Sequence, residues 1–154
     1  MSVECDRRAF LKGAGCFAGM LIALGLSPND AIAFVTGTQS GNERRYPIPA
    51  GDGVTVDRDA ALMLVRAQGK VIALSMVCPH QNAAVKWLPK DQRFQCTKHD
   101  SKYAPDGTYM AGRATRNMDR YPIKKDGNSI VVDMSGVFRS DQNGAGWAAD
   151  FVPV

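Results

Sequence analysis

Two short stretches constrain this chain of 154 residues more than any other feature: Cys78-Pro79-His80 and Cys96-Thr97-Lys98-His99. Between them they hold both histidines of the whole chain and the only cysteines after residue 16. Fifteen residues separate His80 from Cys96. That is enough for two short strands and a turn, so the fold must bring two hairpin loops together if the four side chains are to act as one site. A Cys2His2 metal centre is the natural inference. Zinc takes this ligand set in tetrahedral structural sites. Zinc-finger spacing, however, groups two cysteines in one loop and two histidines in the other, and here each loop supplies one of each.

Composition places few limits beyond a single globular domain. The net charge of +4 is spread over Lys and Arg scattered among Asp and Glu. Nucleic acid is therefore excluded as a partner, because phosphate binding needs a concentrated basic face. No histidine is left for a Ser/His/Asp triad, and no Gly-rich phosphate loop opens a helix.

Residues 1–33 read as a targeting segment rather than as part of the fold. A basic start is followed by an apolar stretch from Gly13 to Leu26 and a small-residue Ala31-Ile32-Ala33 site. The apolar stretch is shorter than the roughly 20 residues of a spanning helix. Asp6-Arg7-Arg8-Ala9-Phe10-Leu11-Lys12 resembles the twin-arginine consensus, which implies export of an already folded protein to the periplasmic side. If the signal stays uncleaved, residues 9–34 would attach the chain to the cytoplasmic membrane. Export leaves Cys78 and Cys96 as the only thiols of the mature domain, and a Cys78–Cys96 disulfide is the plain alternative to a metal site.

The arrangement Cys-x-His, fifteen residues, Cys-x2-His resembles the Rieske [2Fe-2S] motif, in which two thiolates hold one iron and two imidazoles the other. The resemblance is close over 78–103 and looser over about 40–134. It implies a [2Fe-2S] cluster on Cys78, His80, Cys96 and His99. In high-potential members the second loop continues as it does here, His99-Asp100-Ser101-Lys102-Tyr103. By that likeness Ser101 donates a hydrogen bond to a bridging sulfide and Tyr103 to the sulfur of Cys78, both raising the reduction potential. Subunits of conventional cytochrome bc complexes add a loop-tying disulfide, but Ala83 and Lys98 stand at its two positions. Gly112-Arg113-Ala114-Thr115-Arg116-Asn117 is similar instead to the loop after the cluster in the small subunit of arsenite oxidase.

The rest of the chain predicts an all-β fold: a small antiparallel sandwich or barrel over 34–134, with a cluster subdomain at about 77–104. Hairpins are expected at 61–74 around Gln68-Gly69, at 85–96 around Pro89-Lys90-Asp91, and at 120–132 around Asp126-Gly127, and Asp106-Gly107 turns the chain toward Thr108-Tyr109. No sustained helical period follows residue 34. Residues 135–154 read as a tail, draped over the domain or docked on a partner through Trp147 and Phe151.

The resemblance implies a subunit that relays single electrons and catalyses nothing alone. It would serve a larger oxidoreductase, either a molybdenum oxidase like arsenite oxidase or a cytochrome complex, with a quinol or cytochrome c as redox partner. Two alternatives stay open: a free-standing Rieske ferredoxin-type carrier, and a structural Cys2His2 zinc module with no redox role.

Overall fold

The computed structural model describes residues 32–154. The expected targeting segment lies outside the described residues except for Ile32 and Ala33, which belong to the first strand. No helix among the described residues is long and apolar enough to cross a membrane.

Among the described residues, thirteen strands form three sheets. The first sheet runs in the order β1 (Ile32–Phe34), β4 (Gly53–Asp57), β5 (Leu62–Ala67), β6 (Lys70–Ser75) and β13 (Val152–Pro153). The second joins β11 (Ile123–Asp126), β12 (Ser129–Asp133), β3 (Glu43–Pro47) and β2 (Thr38–Ser40). The third is β10 (Tyr109–Ala111), β9 (Lys102–Tyr103), β8 (Arg93–Cys96) and β7 (Val85–Leu88). The architecture is all-β as expected, with one correction: β1 runs parallel to β4, so the first sheet is not wholly antiparallel.

The β5–β6 hairpin is the centre of the molecule. Gln68 and Gly69 both have positive φ, 52° and 72°, the signature of the tight two-residue turn that matches strand twist. Its side chains alternate between two cores. Met63, Val65, Ile72 and Leu74 face the core shared with the third sheet, and Leu62, Leu64, Val71 and Ala73 face the core shared with the second. Burial on both faces explains why these strands read as unbroken apolar runs rather than as alternation.

The C-terminal segment drapes over the domain. A six-residue helix, α1 (Gly144–Ala149), the one α-helix among the described residues, is too short and glycine-rich to announce itself by period. Its Trp147 is buried and donates from Nε1 to the Met118 carbonyl at 2.7 Å. Beneath it lies Arg120, also buried, whose guanidinium carbon is 3.8 Å from the indole ring centre. Arg120 donates to the carbonyls of Trp147 at 2.7 Å and Asp106 at 2.8 Å, tying the tail to the turn between β9 and β10 of the third sheet. Trp147→Phe keeps most of the packing and strands the Met118 carbonyl. It is expected to lower unfolding free energy by about 1–3 kcal/mol in a urea titration with unchanged slope.

Candidate metal centre

The two Cys-His loops hang from the third sheet, at the end of the core that the β5–β6 hairpin anchors. The first is a closed turn: the Cys78 N–H donates to the Ala83 carbonyl at 2.8 Å and the Asn82 N–H to the Cys78 carbonyl at 2.9 Å, with Asn82 at φ 52°. Val77 and Ala84 bridge at its base. The second loop leaves β8 at Cys96, whose N–H donates to the Ser101 carbonyl at 2.8 Å, and reverses at Asp100, φ 54°. The two loops are tied to each other at Thr97, whose N–H and hydroxyl both donate to the Ala84 carbonyl, at 2.9 and 3.0 Å.

All six residues singled out in the sequence meet here, in two tiers. Cys78, Cys96, Ser101 and Tyr103 are almost wholly buried, with both sulfurs in the same core as Phe94 and Trp87. His80 and His99 lie farther out and are half-buried. Their Nδ1 atoms face each other at 3.1 Å, close to the spacing two imidazole nitrogens keep when they share one tetrahedral ion. The thiols of Cys78 and Cys96 are unbridged and adjacent. Among the described residues no three His, Cys, Asp or Glu side chains gather at one point, so the donors meet as a sulfur pair and a nitrogen pair.

The electrostatics suit deprotonated ligands. Burial pushes the Cys96 thiol up, but the backbone N–H groups of His99 and Lys98, with the Cys78 thiol, outweigh it and bring the pKa below its usual value. Burial, the His80 ring and the cations of Arg113 and Lys98 hold His99 below its usual pKa, leaving a neutral ring with a free lone pair. Tyr103 Oη lies 3.3 Å from Cys78 Sγ. Burial and the Cys78 sulfur push the phenol far up, with Ser101 pulling the other way as a donor, so Tyr103 keeps its proton.

A third loop closes over the site from β10. Ser101 Oγ accepts the backbone N–H groups of Arg113 at 3.1 Å and Ala114 at 3.0 Å. Sequence reasoning assigned no role to Gly112 or Thr97. Thr97 sits openly inside the second motif, and the signal for Gly112 was a glycine at the start of an already quoted loop. Ala83 and Lys98 place no sulfur between the loops, and Thr97 makes the connection instead.

The family model described as Rieske [2Fe-2S] domain matches residues 44–122. Cytochrome b6-f complex iron-sulfur subunit 3 of Nostoc sp. is 38% identical over 55 residues, 36% of this chain and 31% of that subunit. The chain thus spans about a third of the length of the cytochrome b6-f relatives matched first. The ferredoxin component of the naphthalene 1,2-dioxygenase system of Pseudomonas aeruginosa is 29% identical over 58% of this chain and 89% of its own. Among solved structures, the plasma membrane Rieske protein of Synechocystis PCC 6803 aligns at 25% identity with a TM-score of 0.43, over 59% of this chain and 85% of that one.

Proposed function

Since the chain belongs to the Rieske [2Fe-2S] domain family, an iron-sulfur electron-transfer family, we propose that it is the high-potential electron-relay subunit of a quinol- or cytochrome-linked oxidoreductase complex. The observation that carries the reading is Tyr103 Oη at 3.3 Å from Cys78 Sγ. A phenol that keeps its proton beside a ligand sulfur favours added negative charge there, and so favours the reduced state.

The chain's donors fit the group. Cys78 and Cys96, in the buried tier, would hold one iron, and the half-buried His80 and His99 would hold the other. A single tetrahedral zinc ion would want all four donors around one point, whereas here they meet as two pairs. When bound, the cluster supplies one-electron transfer and no substrate activation. The protein does the rest. Its core keeps water from the sulfurs, Tyr103 stands within hydrogen-bond reach of Cys78 Sγ, and the half-buried imidazoles of His80 and His99 form the edge a redox partner meets. A molybdenum partner, as in arsenite oxidase, is the variant of this reading that the 112–117 loop supports. Residues 1–33 deliver the domain to the periplasmic side or hold it at the membrane.

A free-standing carrier is the second reading, favoured by the match over nearly the full length of a ferredoxin component. The reduction potential divides the two. A value well above zero is expected, and one near the lower limit of Rieske centres, about −150 mV, assigns the chain to the carriers. Isolation of the tagged chain from solubilised membranes, with identification of attached subunits, tests the complex itself. A colourless protein carrying stoichiometric zinc refutes both. Within the favoured reading, Tyr103→Phe is expected to keep the cluster's electron paramagnetic resonance signal and to lower the potential, by about 60 mV for each tenfold lost in the reduction equilibrium. An unchanged potential removes Tyr103 from the tuning set.

A further inference from the structure

Ser101 is wholly buried, and its hydroxyl has one proton to give and two acceptor positions to fill. Both positions are filled by the same neighbouring loop, through the N–H groups of Arg113 and Ala114. With its lone pairs engaged on that side, the hydroxyl can donate only on the opposite side. Close by is Tyr103, whose Oη lies 3.3 Å from Cys78 Sγ and whose pKa the Ser101 hydroxyl pulls downward.

What lets the loop come so close is Gly112. A Cβ placed on it would lie 2.5 Å from Ser101 Cα and 3.0 Å from both Ser101 N and Oγ. Two of those atoms are backbone and cannot swing aside. Its φ of 110° also lies where side chains are rarely tolerated. Any larger residue must push the loop away from Ser101 and stretch both N–H contacts.

We infer that Gly112 is a positioning residue for electron transfer: it seats the backbone of 112–114 on Ser101 so that the serine proton is turned away from that loop, toward the side of Tyr103 and the ligand sulfurs. The inference rests on the Rieske reading above. It goes beyond that reading in making the potential depend on a residue that touches neither ligand nor cluster. Gly112→Ala should free Ser101 Oγ to rotate and accept elsewhere, weakening a hydrogen bond that favours the reduced state. The potential should therefore fall.

The test is a double-mutant cycle on the full-length, cluster-loaded protein, read by redox titration of the paramagnetic resonance signal. Ser101→Ala and Gly112→Ala are each expected to retain the signal and lower the potential, and the double variant should sit where Ser101→Ala alone does. Additive shifts, or a Gly112→Ala potential equal to wild type while Ser101→Ala moves, overturn the proposal. If Gly112→Ala does not load its cluster, Arg113→Pro replaces it, since proline lacks the N–H. It is compared with Arg113→Gln, which keeps that N–H and loses the same charge. A lower potential for Arg113→Pro than for Arg113→Gln, vanishing in the Ser101→Ala background, supports the inference, and equal potentials overturn it. Failure of both loop variants to load, while Ser101→Ala loads, also overturns it, because the loop would then support the cluster independently of the hydroxyl. Absence of a Rieske-type signal in the wild-type protein is a different result, which refutes the family's chemistry here and not the role of Gly112.

Discussion

His99→Ala is expected to abolish the cluster outright, removing the visible colour and the low-field resonance signal while leaving the β-sheet circular dichroism intact. The loop that carries His99 is held by the Cys96 N–H to the Ser101 carbonyl and by the N–H and hydroxyl of Thr97 to the Ala84 carbonyl, none of which uses the imidazole. The ring is half-buried, so its removal opens no cavity in either core. What disappears is one of two nitrogens that face each other at 3.1 Å. A lone His80 then offers one protein ligand to an iron at the solvent edge. Retention of a normal signal in His99→Ala would falsify the assignment of this pair as ligands.

The second large effect lies far from the metal centre. Asp57 is buried, and its carboxylate accepts from Tyr46 Oη at 2.8 Å, Arg44 Nη1 at 3.2 Å, and the N–H groups of Gly37 and Ala60, each at 3.1 Å. It joins the first sheet to the second through the end of β4. Burial works against its charge, but the Gly37 and Ala60 N–H groups, the Tyr46 hydroxyl and the Arg44 cation overcome that and depress its pKa. The sign of the linkage follows. The unfolded carboxyl titrates near 3.9, and the folded one lower, so its contribution is complete above the unfolded value and is lost as pH falls through the folded one. Asp57→Ala leaves four donors without an acceptor and Arg44 without its counter-charge, an expected cost of about 3–5 kcal/mol in urea unfolding at neutral pH. Asp57→Asn should flatten the acid limb of the stability curve below about pH 4. An Asp57→Asn profile parallel to wild type through that window would remove Asp57 from the acid-sensitive groups.

The parts of this architecture that could be read in advance are those whose cause is local. Leu62–Ala67, Gln68-Gly69 and Lys70–Ser75 specify a hairpin because the strands are apolar throughout and the turn residues accept positive φ. The two Cys-His pairs were legible because histidine is so scarce here. The strands of 32–57 were not. In β3, Arg44 and Arg45 break the alternation and are reconciled by ion pairs to Asp57 and to Asp126, the latter 81 positions away. Arg120 looked like one end of a strand. It proves to be a buried cation held between the indole of Trp147 and two carbonyls, an arrangement only the folded tail creates. Ser101 was read as a donor, and the geometry shows the other half of its valence, because the loop that uses its lone pairs arrives eleven or more residues later.

The tie at Thr97 has a consequence for the order in which the protein can be made. Two hydrogen bonds to one carbonyl hold the loops together, and neither waits for an oxidant or is undone by a thiol. Loops that close this way can be brought together among reducing agents, with no disulfide needed between them. The tie between the loops should therefore be indifferent to dithiothreitol, and the thiols of Cys78 and Cys96 stay unbridged and available to a metal.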